Sequence, residues 1–169
     1  MKKVVLPSII LLVIILIFGL YNLTAKTSSN SLKISKDDEK IILEYLDTKT
    51  NDILAPLGGK LYSAFTVLGT DDNKIYILML KEEFIKHGNE MIQNGGVSAP
   101  MVLNVQTNDG KIKIIGHKYP RDGEEGSIDL KRLFPKNVRN VLNKIRNDGS
   151  FNLQDAIKNR IKGENLSIS

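Results

Sequence analysis

The loop of residues 119–126 holds the side chains whose types and position best suit ligand binding. Arg121 and Asp122 follow a predicted strand and precede a predicted helix, and exposed polar side chains at such a place on a rigid scaffold often bind ligands. A structural role explains the same residues, because aspartate before glycine is a common turn sequence and Arg121 can pair with Glu124 or Glu125. Arg121 and Asp122 are therefore the candidate ligand-binding residues, with both interpretations open.

Paired carboxylates are the second chemistry to consider. Glycosidases need two carboxylates that face each other about 5 to 9 Å apart. Adjacent acidic residues occur at three places, Asp71-Asp72, Glu82-Glu83 and Glu124-Glu125. Neighbouring side chains in turns point apart and stay hydrated, so we expect these pairs to be turn and surface groups. A small extracytoplasmic hydrolase, or an accessory of a wall enzyme, that uses scattered carboxylates such as Glu83 and Asp122 is the alternative.

Other catalytic patterns are missing from the sequence. The chain has no cysteine, which excludes disulfides, thiol nucleophiles and thiolate metal sites. His87 and His117 are its two histidines, and we expect both to be ordinary exposed or half-buried side chains rather than metal ligands. Serine-nucleophile and phosphate-loop motifs are also absent. We therefore predict no catalytic residue, no metal and no cofactor, and a protein that is not an enzyme.

The carboxyl-terminal part of the domain is strongly basic. Residues 131–162 carry nine lysines and arginines against two aspartates, whereas residues 24–130 have a net charge of −3. Such charges commonly form solvated helix faces, but near a membrane they can also contact anionic headgroups or an anionic wall polymer. The candidate contact residues are Lys136, Arg139, Arg146, Lys158, Arg160 and Lys162. Nucleic acid is not expected as a partner, because aromatic residues do not interleave with these basic residues.

The amino-terminal segment bears on location. About twenty mostly apolar, uncharged residues run from Val4 to Leu23. At about 1.5 Å per residue, a helix of that length crosses the roughly 30 Å hydrocarbon core of a bilayer. We therefore predict a transmembrane anchor in residues 1–25, which contacts the lipid bilayer. Cleavage after Ala25 would instead give a secreted soluble factor.

Basic residues near the ends of a span tend to stay in the cytoplasm, and Lys2 and Lys3 directly precede the apolar run. The amino terminus is thus predicted to be cytoplasmic and the domain to lie outside the cell membrane. The predicted segments are the anchor, a tether at 26–34, one extracytoplasmic domain at 35–163 and a tail at 164–169.

The domain's residue pattern predicts helices before and after a run of strands. Ser35 is a predicted N-cap, since acidic residues follow it in the first turn. The predicted elements are a helix at 36–48, a hairpin of strands 61–69 and 74–81, a hairpin of strands 101–107 and 111–118, and two helices, one after Pro135 and one that carries Leu153, Ile157 and Ile161. Both alternating sets of side chains in 75–80 are apolar, which predicts a central strand. Residues 82–99 have no clear assignment.

This order predicts an α+β domain, with an antiparallel β-meander packed against helices that lie on one face. A cystatin-like or nuclear-transport-factor-like arrangement satisfies it. In the penultimate helix, Val138, Val141, Leu142 and Ile145 recur at helical spacing, which predicts one buried face.

Three short motifs carry a resemblance to a known type of domain. They are Gly95-Gly96-Val97-Ser98-Ala99-Pro100 after Glu83-Phe84, then Lys118-Tyr119-Pro120-Arg121-Asp122-Gly123, then Leu133-Phe134-Pro135. Over residues 60–142 the chain resembles an uncharacterised family of small secreted or membrane-tethered domains of Gram-positive bacteria. The resemblance implies an extracytoplasmic placement and no activity.

The function that these features predict is that of a single-pass binding or regulatory module outside the cell membrane. Its partner would be an envelope protein, a peptide or a wall component that docks on a sheet edge or a loop.

Overall fold

A computed structural model of the chain describes residues 31–88, 90–148 and 152–167, with side chains up to residue 164. The described residues form four helices and four strands. In chain order these are α1 (Lys36–Lys49), β1 (Lys60–Asp71), β2 (Lys74–His87), β3 (Glu90–Asn108), β4 (Lys111–Lys118), α2 (Glu124–Leu133), α3 (Lys136–Asp148) and α4 (Leu153–Ser167). The α+β class and the antiparallel meander are confirmed.

The four strands form one antiparallel sheet in the order β1-β2-β3-β4. Both predicted hairpins are present, and β2 is an inner strand as expected. The segment 82–99, which had no clear assignment, extends β2 and β3 into a long hairpin that pairs as far as His87 with Glu90. A break in register between Glu83 and Phe84 bends this hairpin.

Local capping explains where α1 begins. Ser35 Oγ accepts from the backbone N–H of Asp38 at 3.2 Å, and the Asp38 carboxylate accepts from the Ser35 N–H at 2.9 Å. This reciprocal arrangement satisfies two backbone donors that a helix start leaves unpaired. The N-cap prediction at Ser35 is confirmed, and the other oxygen of Asp38 also accepts from the N–H of Ile112 in β4.

The helices lie on both faces of the sheet, so the prediction of a single helical face is wrong. Ile42 and Leu46 of α1 pack with Ile75, Ile77 and Met79 of β2. The alternate side chains of β2, which include Tyr76 and Leu78, point the other way. They pack against the carboxyl-terminal helical region, whose buried residues include Phe134, Val138 and Ile157. Because both alternating sets of β2 are apolar, this strand can be covered on both faces.

Three further expectations need correction. The loop before α2 is shorter than residues 119–126, because α2 begins at Glu124. Val141 is 40% exposed, whereas Val138 and Leu142 are buried as predicted. Glu82 and Glu83 are buried in β2, so they are not surface groups of a turn.

Among the described residues, no helix is both long and apolar enough to cross a membrane. The predicted span from Val4 to Leu23 lies outside the described residues.

Candidate functional site

The predicted residues Arg121 and Asp122 line one cavity of about 380 Å³ together with Arg146. Its walls come from the middle of β3, the loop after β4, the first turns of α2 and the end of α3. The structure thus brings three of the predicted binding residues together. Apolar wall residues include Pro100, Pro120 and Leu130.

Within this cavity the guanidinium group of Arg121 is bonded to acidic side chains of α2. Its Nε and Nη2 donate to the two carboxylate oxygens of Asp129 at 2.7 and 3.1 Å, and its Nη1 forms an ion pair with Glu125. Arg132 adds a further bond to Asp129 at 2.9 Å. The bonds from Arg121 lower the pKa of Asp129 to about 2. Arg121 therefore fixes the loop against α2, as the structural interpretation expected for its pairing with Glu125.

Asp129 of α2, which binds Arg121, is the residue that sequence reasoning missed. It is buried, and it also accepts from the backbone N–H of Arg121 at 3.2 Å. The signal available in the sequence was its helical spacing, since Asp129 lies four residues after Glu125 and three before Arg132.

The six predicted cationic contact residues have different roles. Arg139 donates to the carbonyl oxygens of Phe134 and Lys131, which lie at the carboxyl-terminal end of α2. Arg160 is bonded to Asp47 and Ser63, and Lys158 has an exposed partner in Asp155. Lys136, Arg146 and Lys162 have no partner among the described residues.

Glu83 and Asp122, the two carboxylates of the alternative hydrolase prediction, do not both line the cavity beside α2. Glu83 accepts from the backbone N–H groups of Leu57 and Gly59 and from the side chain of Asn94, at 2.5, 2.7 and 2.7 Å. The bond from Asn94, followed by the one from Gly59, lowers the pKa of Glu83. A Cβ atom at Gly59 would lie 2.7 Å from Glu83 Cγ, so the loop needs glycine there. Asp122 lines the cavity near α2, and Glu83 is not among the residues that line it.

His117 connects β4 to α1. Its Nδ1 lies 2.9 Å from the Tyr45 hydroxyl, its Nε2 lies 3.0 Å from Asp52, and its ring stacks on Tyr119. Burial raises the pKa of Tyr45. His87 lies at the exposed end of β2. Among the described residues, no three acidic or histidine side chains are grouped so that they could hold a metal ion.

A second cavity, larger than the one beside α2, is a groove of about 510 Å³ that runs along the outer edge of β1, between α1 and α4. Residues 63–67 of β1 form its floor, with the uncharged sequence Ser-Ala-Phe-Thr-Val. Glu39 and Leu43 of α1 border one side, and Ala156 and Arg160 of α4 border the other. An outer strand of this kind presents backbone N–H and C=O groups that can pair with another chain.

Arg160 marks one end of this open edge. Its Nη1 donates to the Ser63 carbonyl oxygen at 2.5 Å, and its Nη2 donates to Asp47 of α1 at 2.7 Å. The Ser63 carbonyl group therefore points away from β2. Because backbone groups alternate along a strand, those of Phe65 also point outward.

The opposite edge of the sheet is formed by β4 and differs in charge. Lys111, Lys113 and Lys118 occur within its eight residues, and lysines on an edge strand oppose pairing with another strand. The floor of the β1 groove has no such charge. The two edges therefore differ in their suitability for strand addition.

Comparison of the chain with protein-family models, with curated proteins and with solved structures finds no match.

Proposed function

We propose that the protein is a single-pass module, anchored in the cell membrane, that binds an extended segment of an envelope protein or peptide outside the cell. The segment would add as a strand to the outer edge of β1. One observation carries this proposal, namely the open, uncharged edge of β1 in a groove between two helices. Main-chain hydrogen bonds would supply affinity, and the groove walls would supply specificity.

The backbone of Phe65 is the central contact in this proposal. Its outward N–H and C=O groups would pair with the added strand, while the carbonyl group of Ser63 is already bonded to Arg160. The added strand would thus begin or end at Arg160. A second copy of this chain fits the groove less well, because its own α1 and α4 would have to enter beside the strand.

We also propose where the protein lies in the cell and which known fold its domain resembles. The apolar run from Val4 to Leu23 supports an anchor with a cytoplasmic amino terminus, and the resemblance over residues 60–142 agrees with placement outside a Gram-positive cell. We further propose that α1 and the meander form a cystatin-like unit, to which α2, α3 and α4 add a layer. Lys136, Arg146 and Lys162 would be available to anionic lipids or wall polymers.

A peptide-display selection tests strand addition directly. The full chain in lipid nanodiscs is used to select dodecapeptides from a random library, and affinities are then measured for two tryptophan variants. Ala156 lines the groove and Asn159 does not, although both are exposed residues of α4. Ala156→Trp should weaken binding by at least about tenfold, and Asn159→Trp should leave it unchanged. Equal binding by wild type and Ala156→Trp, or no enriched peptide, would contradict the proposal.

A further inference from the structure

Glu82 has an unpaired oxygen in the protein interior. The residue is 3% exposed, and its Oε2 has no hydrogen-bond partner among the described residues. Its other oxygen accepts from Gln93 at 3.0 Å and, at the limit of a hydrogen bond, from Gln154 at 3.5 Å. A buried carboxylate oxygen without a donor is unfavourable, and such groups are uncommon in folded proteins.

The same carboxylate lines a cavity of about 330 Å³ between the sheet and the start of α4. Leu78, Leu80 and Leu153 give this cavity apolar walls, and Ser98 and Gln154 add polar groups. The hydroxyl of Ser98 donates to the carbonyl oxygen of Met79, so it does not serve Glu82. The cavity is thus an open pocket lined by three leucines, by the polar side chains of Ser98, Asn152 and Gln154, and by one anionic group.

Gly96 of β3 makes room for this arrangement. It pairs with Glu82 across the strands, and a Cβ atom at position 96 would lie 3.0 Å from Glu82 Cγ. A larger residue at position 96 would require the Glu82 side chain to shift by a few tenths of an ångström. The position of Glu82 therefore depends on the local sequence of β3 as well as on α4.

We infer that this cavity binds a protonated primary amine carried on an alkyl chain. The ammonium group would donate to Glu82 Oε2, and the methylene groups would lie against Leu78, Leu80 and Leu153. The Gln154 side chain, which is exposed and weakly held, would move aside to admit the ligand. The amine could be a free alkylamine or the side chain of a lysine in a polypeptide, and both share this chemistry.

The carboxylate of Glu82 gives the site a negative charge that titration can control. Burial raises the pKa of Glu82, while the Gln154 bond and the charge of Lys158 oppose that rise. The charged and polar groups that face Glu82 are Gln93 of β3 and Gln154 and Lys158 of α4. Amine binding should weaken as the pH falls, because Glu82 becomes protonated. The midpoint of this loss should lie above pH 4.5, the pKa of an ordinary glutamate. This experiment uses the wild-type chain alone.

The binding experiment uses n-butylammonium as the probe and the full chain in detergent micelles. Saturable shifts of the Ser98 and Gln154 amide resonances should appear in NMR spectra, and n-butanol, the neutral analogue, should not produce them. Glu82→Gln should lower the affinity at least about tenfold. Lys158→Met changes the charge nearby by one unit in the opposite direction, and it should leave binding equal or tighter.

Two further probes distinguish the sources of the amine. Acetyl-Gly-Lys-Gly-amide should bind if the ligand is a lysine side chain, and the norleucine analogue should not. Binding of n-butylammonium alone assigns the site to free alkylamines. Unchanged affinity in Glu82→Gln, equal shifts with n-butanol, or no saturable shift in the wild type would overturn the inference. Ala156→Trp should not affect this site, so its result is independent of the β1 groove.

Discussion

The ammonium group of Lys81 donates to both the carbonyl oxygen and the hydroxyl oxygen of Thr50, at 3.1 and 2.9 Å. Neither residue has any solvent exposure. Thr50 is the C-cap residue directly after α1, so this pair fastens the end of the helix to β2. Burial lowers the pKa of Lys81, and the nearby Asp47 and Asp52 oppose that effect. The wall of the β1 groove formed by α1 therefore depends on a lysine in the core.

We expect Thr50→Val to destabilise the protein by about 1.5 to 3 kcal/mol, because it removes one acceptor from a buried charged donor. Thr48→Val is the matched control. The Thr50 hydroxyl donates to the carbonyl group of Leu46, and the Thr48 hydroxyl likewise donates to that of Glu44, but Thr48 is exposed. Its substitution should change the free energy of unfolding by less than about 0.5 kcal/mol. Urea denaturation of both variants checks the difference, and equal effects would show that the buried bond adds nothing.

Asp129 should make stability depend on acid pH. Its folded-state pKa of about 2 lies below the ordinary value of 3.8, so the carboxylate stabilises the fold above pH 3.8. That stabilisation declines as the pH falls from 3.8 towards 2. Asp129→Asn should therefore be less stable than the wild type at pH 6, and the difference should shrink below pH 4. Denaturation curves at several pH values measure this, and a difference that is independent of pH would contradict the assigned role.

The pair of Asp47 and Arg160 should be energetically coupled across the edge of β1. Both side chains are largely buried, at 17% and 28% exposure, and two bonds join them. A double-mutant cycle with alanine at both positions should give a coupling energy of about 1 kcal/mol or more.

The pair of Asp155 and Lys158 in α4 provides the control for that cycle. These side chains are 61% and 59% exposed and lie 3.9 Å apart. An exposed pair of this kind should give about 0.5 kcal/mol or less. If the two cycles give the same energy, Arg160 is not a fixed boundary of the groove.

The proposed topology can be tested with single cysteines, because the chain contains none. Asp72→Cys lies in the exposed turn between β1 and β2. A membrane-impermeant maleimide should label it in intact cells. Lys3→Cys should be labelled only after permeabilisation, since the amino terminus is proposed to be cytoplasmic. The reverse pattern would exclude the proposed orientation, and the intact mass of the labelled chain would reveal cleavage after Ala25.

Local signals were sufficient for several elements of the fold. Ser35 with Asp38 three residues later predicts the start of α1, and the turn at Asp109 and Gly110 predicts the second hairpin. Such signals act between residues close in sequence. Val138 and Leu142 are likewise buried at the helical spacing that the sequence shows.

Tertiary contacts explain what the sequence did not predict. Lys81, Glu82 and Glu83 are consecutive charged residues, which usually mark a surface, yet all three are buried. Their hydrogen-bond partners lie at least eleven residues away, at the C-cap of α1, in β3, in α4 and in the loop before β1. No local sequence pattern therefore predicts that these three residues are buried. For the same reason the sequence did not indicate that helices cover both faces of the sheet.

The candidate site was predicted in part. Arg121, Asp122 and Arg146 do line one cavity, although Asp129, which fixes Arg121, was missed. The groove on β1 could not be located from sequence, because which strand forms an edge depends on the order of strands in the sheet. That order is a property of the folded chain.

Hydrogen exchange at the Phe65 amide tests strand addition on β1 most directly. The exchange rate is measured by NMR on the full chain, alone and with a selected peptide at about a hundred times its dissociation constant. The proposal predicts that the peptide slows exchange at Phe65 by about a hundredfold, because the added strand accepts this N–H. A bound peptide that leaves the Phe65 exchange rate unchanged would contradict strand addition at this edge.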